Sequence, residues 1–180
     1  MLKTCLLTAS SLAIVLPSVH ASELNLELNN DTVTIGFDSK IAPAAEFFTE
    51  YSYSTDHGNL LEGGVRAVNV GDIHNFSVGA KAVGLFADKG FDDGYVFAVG
   101  GEYGIEIAPQ VSLSASAYYS PNVLTSSKLD GYYDWDAKVS YQLMPNLDVS
   151  LGYSVVRFDY KRDHHMKFDN SIYVGANYQF

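Results

Sequence analysis

The chain has 180 residues, with 11 basic and 21 acidic side chains, a formal net charge of −10, a single cysteine and 13% aromatic content. That acidic balance removes nucleic acid from the set of expected partners, because phosphate binding needs clustered cations. The length suits one domain, and beyond the first 21 residues no apolar run nears the roughly 20 residues of a membrane helix, which excludes a helical inner-membrane protein.

The chain opens with one cation, Lys3, an apolar stretch from Leu6 to Leu16, and then Val19-His20-Ala21. This is the order of a secretory signal peptide, with cleavage expected after Ala21 and residues 22–180 as the mature domain. Eleven residues are too few to anchor the chain across a bilayer. Cys5 precedes the apolar run, whereas a lipoprotein cysteine would follow it. Removal of residues 1–21 would take away that only cysteine and Lys3, leaving ten cations against 21 acids, a net of −11, and no thiol for a disulfide or a metal.

From Ser22 onward the hydrophobic period is two. Leu24, Leu26 and Leu28, then Val33, Ile35 and Phe37, form two short candidate strands joined by Asn29-Asn30-Asp31. Phe47, Tyr51 and Tyr53 oppose Glu46, Glu50, Ser52 and Ser54; Leu61, Val65 and Ala67 oppose Glu62, Gly64 and Arg66. Phe76, Val78, Ala80, Ala82 and Phe86 oppose Asn75, Ser77, Gly79 and Lys81, with Val83 and Leu85 out of phase. Tyr95, Phe97, Val99, Tyr103, Ile105 and Ile107 oppose Gly94, Gly100, Glu102, Gly104 and Glu106. The cleanest alternation follows: Val111 to Tyr119 on odd positions against three serines and Tyr118, then Tyr133, Trp135, Ala137, Val139, Tyr141 and Leu143 against Tyr132, Asp134, Asp136, Lys138, Ser140 and Gln142. Leu147, Val149, Leu151, Tyr153 and Val155 oppose Asp148, Ser150, Gly152 and Ser154, after which Val156, Phe158 and Tyr160 change parity, a slip that a β-bulge near Val156 would explain. Since successive strand side chains point to opposite faces, each segment must separate an oily environment from a polar one.

Tight connections at Gly71-Asp72, Ala108-Pro109-Gln110 and Met144-Pro145-Asn146 alternate with longer polar ones at Asp56 to Asn59, Asp88 to Gly94, Pro121 to Gly131 and Lys161 to Lys167. Short turns at one end and longer loops at the other define an all-β fold, an antiparallel up-and-down transmembrane β-barrel of 8 to 10 strands with its short turns in the periplasm. Ile172, Val174, Ala176, Tyr178 and Phe180 alternate to the last residue, resembling the C-terminal signal by which the outer-membrane barrel-assembly machinery recognises its clients. Aromatic residues near strand ends, as at Tyr132, Tyr133 and Trp135 or Tyr178 and Phe180, fit interfacial girdles, and the Gly- and Ser-rich polar set suits a narrow interior better than the surface of a soluble lipocalin-like barrel.

With the apolar face outward, the lumen should hold Glu46, Glu50, Glu62, Glu102, Glu106, Asp134, Asp136 and Asp148, with Arg66, Lys81 and Lys138 as cations. Carboxylates in a low-dielectric interior must pair, protonate or be hydrated. Two arrangements satisfy this: a salt-bridged interior filled by side chains, or a narrow hydrated path preferring cations.

No residue stands out as catalytic, metal-binding or cofactor-binding, and no cofactor is expected. The histidines left after cleavage, His57, His74, His164 and His165, lie in no supporting motif, and no strand carries the His-x-Ser of a barrel deacylase. His164-His165 reads as a solvated loop pair, and Asp134-x-Asp136 has Lys138 two residues on as a simpler counter-charge than calcium.

Glu23 to Val33 at the start of the domain, Tyr119-Ser120-Pro121-Asn122-Val123-Leu124 in its middle, and Tyr141-Gln142-Leu143-Met144-Pro145-Asn146 followed by Leu151-Gly152-Tyr153 resemble the YfaZ family of outer-membrane proteins of Gram-negative bacteria. The resemblance implies an outer-membrane barrel of this size and carries over no catalytic or binding residues. The expectation is therefore a monomeric, non-enzymatic barrel seated in outer-membrane lipid, either structural or a narrow channel. The alternatives are an adhesin-like protein binding through Asp88 to Gly94 and Pro121 to Gly131, and an enzyme that modifies lipid A.

Overall fold

A computed structural model describes residues 22–88, 90–161 and 164–180. The expected signal peptide, residues 1–21, lies outside the described residues, as do Lys89, Arg162 and Asp163 in two of the expected loops. Ten strands follow in order: β1 (Ser22–Leu28), β2 (Thr32–Ala42), β3 (Ala45–Ser54), β4 (Gly58–Val70), β5 (His74–Ala87), β6 (Gly94–Ala108), β7 (Val111–Ser120), β8 (Leu129–Met144), β9 (Leu147–Tyr160) and β10 (His164–Gln179). Each pairs antiparallel with its sequence neighbours, and β1 pairs with β10 from Glu23↔Gln179 to Leu28↔Val174, so the sheet closes. The two short N-terminal segments are therefore barrel strands, and the count is ten. Closure matters because an open edge in hydrocarbon would leave a row of backbone groups without partners.

The connections sort by end. Residues 43–44, 71–73, 109–110 and 145–146 make the short turns, at the end where Ser22 and Phe180 exchange backbone hydrogen bonds of 3.1 and 3.0 Å. At Pro109-Gln110 the proline presets the first central φ, and Gln110 takes φ 69°, the positive value a type II turn requires at its second central residue. The opposite end carries the longer loops, one of which holds a short 3₁₀ turn at Asn122–Leu124. Two loops are shorter than their sequence patterns indicate: β8 begins at Leu129, and β10 begins at His164 rather than beyond Lys167.

The outward face is lipid-like in layers. Phe47, Phe76, Tyr103, Tyr141, Tyr178 and Phe180 ring the short-turn end, and Tyr51, Tyr53, Phe86, Tyr95, Phe97, Tyr119 and Tyr133 ring the loop end, all exposed. Between them lie aliphatic side chains such as Leu61, Val65, Val78, Leu113, Val139, Leu151 and Val174. Aromatic girdles flanking an aliphatic band are the signature of a membrane barrel. The last strand shares this face: Ile172, Val174, Tyr178 and Phe180 are exposed and Ala176 is half-exposed.

Three readings from the sequence are corrected. Tyr132 is no girdle residue; it points into the barrel and is 1% exposed. Val156 does not mark a bulge in β9. The register shift lies on β10, between Lys167 and Asp169 opposite Arg157 and Val156, while β9 keeps one parity throughout. Val83 and Leu85 keep the inward parity of β5 as well. What changes along β5 and β9 is the chemistry of the interior, not the phase of the strand. A bulge and a polarity change look alike in sequence because both reverse the apolar parity.

Candidate functional site: the barrel lumen

The interior has three tiers. Nearest the short turns, Arg66 of β4 gathers acids from three other strands: Asp38 of β2 at 2.8 Å, Glu46 of β3 at 3.0 Å and Glu102 of β6 at 3.6 Å. Glu46 is its direct cross-strand partner, whereas Asp38 and Glu102 each reach it past one intervening strand, β3 and β5 respectively. Asn25 Nδ2 donates to Asp38 Oδ2 at 2.6 Å, and Arg66 sits over the Phe48 ring at 5.4 Å from its centroid. These groups are part-buried, and a guanidinium with five fixed donors is suited to such a multi-acid site.

The middle tier is drier. Lys81 of β5 donates to Glu62 of β4 in a short hydrogen bond and to Asp134 Oδ2 of β8 at 2.5 Å. β5 and β8 are not neighbours, so this cation ties together two strands separated by β6 and β7. Tyr132 OH donates to Glu62 Oε1 at 3.1 Å, and the ammonium lies 4.7 and 5.5 Å from the Tyr118 and Tyr132 ring centroids. Lys81 and Glu62 are both buried. Beside them Lys138 approaches Glu27 of β1 at 3.9 Å. Glu50 is the cross-strand partner of Glu62 and faces the same space.

The third tier, toward the loops, is apolar. Leu60, Val83, Leu85, Val96, Ala98, Leu129, Tyr132, Val156, Phe158, Met166 and Phe168 form one buried cluster inside the barrel, with the Tyr132 and Phe158 rings 4.9 Å apart. Val96, Ala98, Leu129 and Phe158 are 0% exposed, so no water reaches them from the loop side. Beneath this plug lies a cavity of about 160 Å³, capped by Leu60, Val156 and Phe168 and lined below by the ionic tiers. It is polar and large enough for several waters.

Three rings inside the barrel fit only because their cross-strand partner is glycine: Phe48 over Gly64, Tyr118 over Gly100 and Tyr173 over Gly152. A Cβ at any of the three glycines would overlap its ring.

Of the acids and bases expected in the lumen, Glu46, Glu62, Arg66, Lys81, Glu102 and Asp134 join the two ion-pair groups, and Glu50, Asp136 and Lys138 line the same cavity. Glu106 stands apart, exposed at the short-turn mouth, and Asp148 lies in a separate small recess with Lys138 and Asn25. Asp134 is bound to Lys81, while Asp136 lines the cavity that Lys138 also lines, so the Asp-x-Asp pair is not held together by one cation. His164 and His165, consecutive in β10, project to opposite faces and cannot clasp one ion together. Sequence reasoning missed Asp38 and Glu27, which the parity of Phe37 and of Leu26 and Leu28 would have turned inward. It also missed Tyr118, Tyr132 and Tyr173, which occupy polar-parity positions without looking polar.

The family model described as YfaZ precursor matches residues 1–180. The Outer membrane protein YfaZ of Escherichia coli (strain K12) is 26% identical over 187 residues, covering the whole of both chains. Among solved structures, the KdgM porin superposes with a TM-score of 0.50 at 11% identity, over 89% of this chain and 99% of that one. A second structure, KdgM porin in complex with disordered oligogalacturonate, gives a TM-score of 0.50 at 12% identity with the same coverage. At these identities the porins share the fold alone. A closed antiparallel barrel with a lipid-facing exterior, matched by the family model from end to end, is an outer-membrane protein belonging to the YfaZ family.

Proposed function

We propose that this outer-membrane barrel is a non-enzymatic envelope protein whose lumen is shut in its resting state, serving as a structural element rather than an open pore. The observation that carries this reading is the apolar plug: the loop-side third of the interior is packed with side chains that exclude water, and an ion crossing it would have to shed its hydration without replacement. The name of the curated relative and the porin-like neighbours agree with a non-enzymatic membrane protein. Neither the adhesin-like reading nor the lipid A-modifying one gains support from those relatives.

A second reading, a narrow cation-preferring path opened by displacement of the plug, is favoured by the acid excess beneath it: Glu27, Asp38, Glu50, Glu62, Glu102, Asp134, Asp136 and Asp169 line the cavity against Arg66, Lys81 and Lys138. The same balance disfavours a polyanion such as the oligogalacturonate named with one porin neighbour. Single-channel recording on the refolded protein in a planar bilayer tests the reading. Silence is expected, and steady, reproducible current steps at low voltage would overturn it.

A further inference from the structure

Around the loop-side rim five of the ten strands, β3 and β5 to β8, point an aromatic ring outward: Tyr53, Phe86, Tyr95, Tyr119 and Tyr133. β9 and β10 break this series with charge. Arg157 of β9 pairs across strands with Tyr133 on one side and Lys167 of β10 on the other, so Tyr133, Arg157 and Lys167 form one outward row. Arg157 Nε and Nη2 both donate to Asp159 Oδ1 at 2.8 Å, which partly neutralises it. Lys167 is exposed and has no acidic partner among the described residues. Segment 157–167 holds four of the ten cations of residues 22–180, in a chain whose overall balance is acidic.

One rung nearer the membrane centre, Val155 pairs with Trp135 and with Asn170, and Tyr153 OH donates to Asn170 Oδ1 at 2.6 Å. The Trp135 and Tyr153 rings pack at 5.4 Å between centroids. Cations therefore stand directly above an aromatic wall that faces lipid. An amphiphile with an anionic head above its acyl chains is complementary to this order, in charge and in polarity.

We propose that the outward rim of β8, β9 and β10 binds the headgroup phosphate of an anionic membrane lipid, with Arg157 and Lys167 pairing to the phosphate and Trp135 and Tyr153 packing against an acyl chain. A guanidinium and an ammonium on adjacent strands can share one phosphate, the first through paired N–H donors and the second as a point charge.

Trp135 is the sole tryptophan of the chain and reports on this spot directly. The protein would be refolded into phosphatidylcholine vesicles containing a minor fraction of lipid with brominated acyl chains, either phosphatidic acid or phosphatidylcholine, and quenching of Trp135 compared. A net cation at a membrane surface contributes about 1 kcal/mol, so the phosphatidic acid should be enriched about fivefold beside Trp135. Lys167→Gln should abolish most of that preference. Asp159→Asn, which frees Arg157 from its internal partner, should raise it, a gain that misfolding cannot produce. Equal quenching by the two brominated lipids would overturn the proposal, as would an Asp159→Asn variant with unchanged or weakened preference. Displacement of the brominated phosphatidic acid by millimolar soluble glycerol phosphate would also overturn it, by showing a site for free anions rather than for a lipid.

Discussion

The two ends of this lumen solve the same packing problem with opposite chemistry. Toward the short turns, Arg66 holds three acids in a part-buried vestibule. Toward the loops, inward positions of β4, β5, β9 and β10 carry Leu60, Val83, Leu85, Phe158 and Met166, which exclude water. Lys81, Glu62 and Asp134 sit at the boundary, where charges are buried but close enough to satisfy one another. The comparison teaches that inward parity in a barrel specifies a direction and not a polarity. A strand can present carboxylates to the interior at one end and aromatic rings at the other without changing phase.

If the boundary cluster is as interdependent as its geometry indicates, removing its cation should have the largest effect. Lys81→Ala leaves Glu62 and Asp134 buried without a counter-charge and should destabilise the barrel by about 3–5 kcal/mol, measured by urea unfolding in vesicles. Adding Glu62→Gln and Asp134→Asn to Lys81→Met should recover most of the loss, and failure of that rescue would show the charges to be independent. Phe158→Ala, in the plug, should cost about 3–4 kcal/mol through the cavity it leaves. It is also the variant in which bilayer current should first appear; continued silence there would place the barrier to ions in the ionic tiers instead. Gly152→Ala, which sets a methyl group against the Tyr173 ring, should cost about 1–3 kcal/mol by overpacking, and pairing it with Tyr173→Ala should relieve most of the loss. The smallest effect belongs outside the lumen. Lys128 and Asp92 are 2.6 Å apart but both largely exposed, so Lys128→Ala should change unfolding by under about 0.5 kcal/mol. A larger loss would mean that the loops brace the plug from above.

Particular residues show how much of this was legible beforehand. The strands of Val111–Ser120 and Leu129–Met144 were plain, because a serine or acid alternating with an aliphatic or aromatic residue leaves one reading. Most of the lumenal charges were plain for the same reason, since parity alone sends Glu62, Arg66, Lys81 and Asp134 inward. Val83, Leu85, Val156 and Phe158 were not. An apolar side chain on the polar parity has two explanations in sequence, a bulge or an apolar interior, and local pattern cannot separate them. Glu106 shows the converse limit: its parity is inward, but its height places it at the mouth, in solvent.

By itself the sequence determined that the domain is a closed sheet with an oily outside. A period of two repeated through the domain gives every strand one oily and one polar face, the aromatic strand ends and the Gly- and Ser-rich polar face turn the oily one outward, and hydrocarbon tolerates no open edge. Only the tertiary structure decided which charges meet. Lys81 and Asp134 are 53 positions apart in the chain and on strands that never pair, and Arg66 reaches β2, β3 and β6 from β4. Those encounters depend on how wide the barrel is and how its strands are staggered, quantities fixed when the sheet closes on itself rather than by any segment along it.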